Sequence, residues 1–192
     1  MLKTLIELQR LKALERTGWM LRGIAQGAES VAAHSYGVAV AAMLLADEMA
    51  ARGVSVDVER VLRIALLHDW AEARVGDLPR TASEYFGAEA RKRAERAAFN
   101  DLVRDAGQAA AVQYNELHEE YEERASLEAR LVKAADVVDL LVQTLAFERA
   151  GVRGLDEFWE GARAQEFRLE GEAAEVLKEV LDALFEARRN LK

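Results

Sequence analysis

Two histidines and several carboxylates stand where the surrounding pattern asks for apolar side chains. In VLRIALLHDWAE, His68 and Asp69 follow Ile64, Ala65, Leu66 and Leu67. Burying ionisable groups without partners is costly, so the pair needs a reason to be there. On a helix each residue advances about 100° around the axis. With His68 at 0°, Asp69 falls near 100° and Glu72 near 40°, between the other two. One face then offers an imidazole and two carboxylates to a single point, which suits a cation with an acid or base beside it. His34 intrudes in the same way into VAAHSYGVAVAAMLL, sharing a face with Val38, Ala41 and Leu45. Asp136 intrudes into LVKAADVVDLLVQ, and Asp139 is its rival on the same segment. Taken singly, each has a plainer explanation: a buried His68–Asp69 pair, a satisfied core histidine, an ion pair between Asp136 and Lys133 one turn away. Together, two imidazoles and two carboxylates complete a ligand set for a divalent ion such as Co²⁺, Mn²⁺, Mg²⁺ or Zn²⁺. Periodicity does not choose between Asp136 and Asp139.

These side chains need helices to hold them, and the composition supplies little else. There is one proline, Pro79, and 12 glycines among residues dominated by Ala, Leu, Glu and Arg. The expected architecture is therefore all-α. Apolar spacing predicts a first helix over residues 2–16. Ser30 is a candidate N-cap for a helix closing at Gly53, and a third helix runs from near Asp57 to Gly76. GDLPR after it reads as a loop. Charged amphipathic patterns predict outer helices over about 87–105 and 108–123. Ser126 caps a further long helix ending at Gly151, and segments at about 155–168 and 172–190 complete the chain. With 192 residues, evenly spread apolar content and no linker-like stretch, residues 1–192 are read as one domain.

The remaining composition narrows the class of partner. No cysteine is present, which excludes disulfides, thiolate catalysis and Cys-based zinc sites and fits a reducing cytoplasm. No run approaches the roughly 20 apolar residues that span a bilayer, and no membrane partner is expected. Acidic side chains number 34 against 26 basic, a formal net charge of −8. Such a surface disfavours polymeric nucleic acid and leaves small anions as substrates, since a metal and a few arginines neutralise one phosphate locally.

The motifs TGWMLRG, ESVAAHSYGVA, LLHDWAEARVGDLPRT and SLEARLVKAADVVDLL, spread over about residues 10–150 with core motifs within 16–140, resemble the HD-domain phosphohydrolase superfamily. Within it they are similar to the bacterial 5′-deoxynucleotidases and their eukaryotic and archaeal relatives. The resemblance implies a single-domain HD-type helical bundle and one divalent metal ion held by His34, His68, Asp69 and Asp136, deciding for Asp136 over Asp139. It implies Glu72 and Asp77 as catalytic acids and Trp19 as a wall beside the sugar that a 2′-hydroxyl would meet. The bacterial enzymes carry a basic residue just before that tryptophan; here it is Gly18, and Arg16 or Arg22 is the substitute phosphate contact. The implied reaction is metal-dependent release of phosphate from (deoxy)ribonucleoside 5′-monophosphates, in a cytoplasmic homodimer. A triphosphohydrolase and a non-catalytic nucleotide- or metal-binding module are the alternatives. Retention of Glu72 and Asp77 disfavours the second. His118, in YNELHEEYEERAS, is read as structural or exposed, and the lack of further histidines disfavours a two-metal site.

Overall fold

A computed structural model describes residues 1–25 and 27–191. Among them it has eleven α-helices and no strand: α1 (Leu2–Leu8), α2 (Thr17–Met20), α3 (Val31–Ala51), α4 (Val58–Leu67), α5 (Glu72–Val75), α6 (Arg80–Phe86), α7 (Ala88–Val103), α8 (Gln108–Glu123), α9 (Leu127–Arg149), α10 (Asp156–Arg163) and α11 (Gly171–Arg189). The all-α expectation holds. None of these helices is long and apolar enough to cross a membrane.

The long helices begin where their caps were expected. Ser30 Oγ accepts from Ala33 N at 3.1 Å at the start of α3, and Ser126 Oγ accepts from Ala129 N at 3.0 Å at the start of α9. Each bond satisfies an N–H that the first helical turn leaves over.

Several boundaries differ from the sequence pattern, three of them close to the candidate residues. The first helix stops at Leu8 and tightens into a 3₁₀ turn over Gln9–Lys12, which carries Leu11 into the core against Val31 and Ala73. The helix expected from Asp57 to Gly76 breaks: α4 ends at Leu67, residues 68–71 form turns, and α5 starts at Glu72. The backbone there shortens to i→i−3 bonds, with Trp70 N on Leu67 O at 3.0 Å and Glu72 N on Asp69 O at 3.1 Å. Finally, Pro79 closes the GDLPR loop but also launches α6, with Ala82 N on Pro79 O at 2.9 Å. Proline lacks the N–H that a helix start leaves unused, so it begins helices well.

The chain divides into two compact units, Met1–Ser35 with Leu66–Glu123, and Tyr36–Ala65 with Arg124–Lys192. In the first, Leu11, Val31 and Ala73 form a core with Leu8, Leu14, Ala32 and Trp70 packed on it. Trp70 extends this core by stacking near Phe99 and meeting Tyr114 edge-on. An isolated antiparallel bridge joins Glu15 to Ser30, flanked by Arg16 N on Glu29 O at 3.1 Å and Val31 N on Leu14 O at 2.8 Å. In the second unit α9 packs with α10 and α11 around Val137, Leu141, Leu145, Trp159 and Ala162. Arg188 ties this group together, bonding both Glu148 and Asp156 and lying 4.9 Å above the Trp159 ring. A Cβ at Gly37 on α3 would stand 2.7 Å from Asp139 Cγ on α9, so a side chain there requires the Asp139 carboxylate to shift.

Candidate metal centre and acid cluster

The break between α4 and α5 falls on the two residues whose chemistry stood out. Freed from one continuous helix, His68 turns its ring toward His34, which the first turn of α3 presents; the ring centroids lie 5.6 Å apart. Both rings are buried, at 1% exposure for His34 and 4% for His68. Asp69 joins them. Its Oδ2 lies 3.2 Å from His68 Nε2, 3.7 Å from His34 Nε2 and 3.4 Å from Arg16 Nη1. Burial alone would push the Asp69 carboxyl up, but His68 beside it, then His34 and Arg16, hold it well below the usual carboxylate range.

These separations test whether a cation fits. Two donors each about 2.1 Å from one divalent ion, at tetrahedral or octahedral angles, stand roughly 3.0–3.4 Å apart. His68 Nε2, 3.2 Å from Asp69 Oδ2, falls within that spacing, and His34 Nε2, at 3.7 Å, stands just beyond it. The chemistry of the set agrees, since imidazole with carboxylate suits a borderline divalent cation. Glu72 adds an independent sign. It is 6% exposed, and its Oε2 is buried with no hydrogen-bond partner among the described residues. Burial, then the neighbouring carboxylates of Asp69 and Asp77, push it far above the usual carboxylate range, against the pull of Arg16 and Arg91. A buried carboxyl oxygen left unpaired costs about 1–3 kcal/mol, which a water held beside a cation would relieve. The residues fit the metal.

Around this centre the other candidates take distinct positions. Gly76, at φ +79°, turns the chain out of α5 and delivers Asp77. Asp77 Oδ2 accepts from Thr17 N at 2.6 Å, while Thr17 Oγ1 donates to Asp77 O at 2.7 Å, so Asp77 anchors the start of α2. Trp19 is 2% exposed and donates from Nε1 to Glu29 Oε2 at 2.5 Å. Gly18 lies inside α2 and is not among the glycines with positive φ, so Trp19 is placed by a helical turn rather than by glycine's freedom. Arg16 reaches the Asp69 carboxylate. Arg22 instead folds back, with Nη1 on Gly18 O at 3.1 Å. In the second unit Asp136 on α9 accepts from Lys133 Nζ at 2.7 Å, the ion pair expected from helical spacing. Asp139 on the same helix sits against Gly37.

Sequence reasoning passed over several residues here. Glu29 lies in the ESVAAHS motif, but an acid just before a helix reads as an ordinary surface residue. Arg91 on α7 bonds Glu95 at 2.7 Å and bears on Glu72 from a distant part of the chain. Tyr121 on α8 meets the His68 ring edge-on at 5.4 Å. His118, read as structural or exposed, is structural: at 3% exposure it stacks on Phe99 with centroids 4.0 Å apart.

An all-α fold that sets a histidine from the first turn of one helix against a His-Asp pair at a break between two others has the donor set of a metal-binding helical protein. The HD domain family model matches residues 8–174, and the chain belongs to that family. It is 34% identical to the 5′-deoxynucleotidase hdd1 of Schizosaccharomyces pombe over 90% of this chain and 86% of that one. It is also 34% identical to the 5′-deoxynucleotidase HDDC2 of Xenopus laevis, over 72% of this chain and 65% of the relative. Among solved structures, the PH0347 protein of Pyrococcus horikoshii OT3 superposes with a TM-score of 0.82 at 34% identity, covering 97% of this chain and 99% of that one.

Proposed function

We propose that this chain is a metal-dependent 5′-deoxynucleotidase, hydrolysing deoxyribonucleoside 5′-monophosphates to the nucleoside and inorganic phosphate. The observation that carries the reading is the gathering of His34 Nε2, His68 Nε2 and Arg16 Nη1 on Asp69 Oδ2, beside the buried Glu72 carboxyl. The S. pombe and X. laevis relatives, both named 5′-deoxynucleotidases, support the substrate class. The family match over residues 8–174 takes in parts of both compact units and supports treating residues 1–192 as one domain.

His34, His68 and Asp69 would hold the cation, with Asp136 as the proposed fourth ligand. When bound, a divalent ion supplies positive charge to the phosphoryl oxygens and lowers the pKa of an adjacent water from about 16 toward about 7. Everything else is work for the chain. Glu72, enclosed and short of a partner, holds a proton at its carboxyl, gives it to the departing O5′ and is reprotonated by the proton that the attacking water releases. Asp77, fixed by Thr17, orients the water and keeps Glu72 from losing its proton to solvent. The Arg16 guanidinium neutralises phosphoryl oxygens as the P–O5′ bond breaks, which is the main demand of phosphoryl transfer. Trp19 walls the sugar at C2′. A ribonucleotide would clash there or leave its hydroxyl desolvated, at roughly 1–3 kcal/mol, or about ten- to a hundredfold in rate.

A homodimer in the cytoplasm belongs to the same proposal, and light scattering on the eluting protein checks its oligomeric half. The deciding experiment is phosphate release from a panel of deoxy- and ribonucleoside mono-, di- and triphosphates with Co²⁺, Mn²⁺, Mg²⁺ and Zn²⁺ in turn. Preference for deoxyribonucleoside monophosphates is expected. Turnover confined to triphosphates, or none with any metal, would reject the reading.

A further inference from the structure

The segment Arg16–Trp19 is held by two residues, Glu29 and Asp77, with two hydrogen bonds each. Glu29 O accepts from Arg16 N at 3.1 Å, while its side chain accepts the indole N–H of Trp19 at 2.5 Å. The opposite side is held by Asp77 on Thr17 N. Glu29 in turn is fixed in the chain: Ser30, next to it, pairs with Glu15 and caps α3, the helix that presents His34. One carboxylate thus joins the loop leading to a metal-ligand helix to the aromatic ring of α2.

We propose that Glu29 is a positioning residue for substrate selection: by holding Trp19 Nε1 it stops the indole from flipping or sliding in its slot and thereby sets the discrimination at C2′ of the nucleotide. This rests on the proposed role of Trp19 as the sugar wall. An indole ring has two side-chain torsions, and packing of its flat faces resists tilting more than it resists flipping or sliding in plane. A hydrogen bond from the single polar atom of the ring removes that remaining freedom. A bond to a carboxylate is stronger than one to a neutral acceptor. Selectivity by exclusion needs such rigidity, because a wall that shifts by about 1 Å admits the hydroxyl it is meant to reject. The ring is almost wholly enclosed, so the protein sets its orientation before any ligand arrives.

The test compares wild type with Glu29→Ala, Glu29→Gln and Trp19→Phe, using dAMP and AMP with Mn²⁺ and separating kcat from KM. It also follows the indole N–H resonances of tryptophan-labelled protein, where loss of a signal in Trp19→Phe identifies that of Trp19. In Glu29→Ala the Trp19 N–H signal is expected to move upfield and exchange faster with solvent. The dAMP-over-AMP ratio of kcat/KM is expected to fall about tenfold, the scale of one lost charge-assisted bond. Glu29→Gln, which keeps an acceptor oxygen, should recover most of that ratio. Trp19→Phe, which keeps a ring but loses the donor, should lose it as Glu29→Ala does. An unmoved indole signal in Glu29→Ala overturns the positioning role whatever the activity. A moved signal with an unchanged ratio overturns the link to selection, as does full selectivity in Trp19→Phe, an arm that stands even if Glu29→Ala fails to fold. Equal wild-type rates on dAMP and AMP would reject the sugar wall itself and with it the selectivity claim, leaving the indole signal to decide whether Glu29 orients Trp19.

Discussion

Glu72 and His118 are both ionisable groups buried in the first unit, and they make different demands on the molecule. Glu72 is proposed to move protons, not to hold the metal. Glu72→Gln is therefore expected to cut kcat by about 10²–10⁴, the usual worth of a general acid–base group, while metal content by elemental analysis stays at one ion per chain. Asp69→Ala should lose both metal and turnover; a Glu72→Gln protein that comes out metal-free would refute this division of labour. His118 bears on stability instead. Burial, with Arg96 and His68 adding to it, pushes its pKa down to about 4. The unfolded chain, with a histidine pKa of about 6.5, binds the proton that the folded chain refuses. Stability is therefore intact above pH 6.5, declines as the pH drops below it, and stops declining from this cause near pH 4. The loss amounts to at most about 3 kcal/mol. In His118→Phe, which keeps a ring against Phe99, urea melts at pH 7.5 and pH 5 should differ by less than they do in wild type.

At the scale of elements, the sequence was most readable where helices begin and least readable where one was interrupted. Ser30 and Ser126 announced α3 and α9 because a cap is a local device: one hydroxyl, one backbone N–H, three residues apart. The break at residues 68–71 had no such signal, since every residue from Val58 to Val75 tolerates a helix. Tertiary contacts decide it, as His68 meets His34 and Tyr121 while Ala73 enters the core with Leu11. For the same reason the four-residue α2 and the acid that holds its tryptophan were invisible as structure although their residues lay in recognised motifs. Sequence separation hid Arg91, which bears on Glu72 from another helix. Two substitutions test how far these elements depend on single contacts. Gly37→Ala places a methyl group against the Asp139 carboxylate and is expected to destabilise by about 1–3 kcal/mol, read as a lowered Tm. A Tm equal to wild type would mean that α9 gives way there at no cost. Ser30→Ala should cost about 1 kcal/mol through the lost cap, and it loosens the turn that carries His34.

For the molecule as a whole, the account makes the cation part of the fold as well as of the chemistry. Two buried imidazoles crowd one carboxylate beside a second carboxyl with an unpaired oxygen, an arrangement that invites a cation. A metal binding only the folded state raises stability by about 2.7 kcal/mol at a hundredfold excess over Kd. Mn²⁺ or Co²⁺ added to chelator-treated protein should therefore raise Tm in wild type and in Glu72→Gln, but not in His34→Ala. The net charge of −8 belongs to this scale too: it repels polymeric anions, so the local charge of Arg16 and the ion has to do the attracting. The measurement that bears most directly on the central claim is phosphate release from dAMP by chelator-treated protein, before and after Mn²⁺ or Co²⁺ is restored. The account expects no release before, turnover after, and none at any metal concentration in Asp69→Ala. Undiminished release by the chelator-treated protein, or turnover in Asp69→Ala equal to wild type, would contradict it.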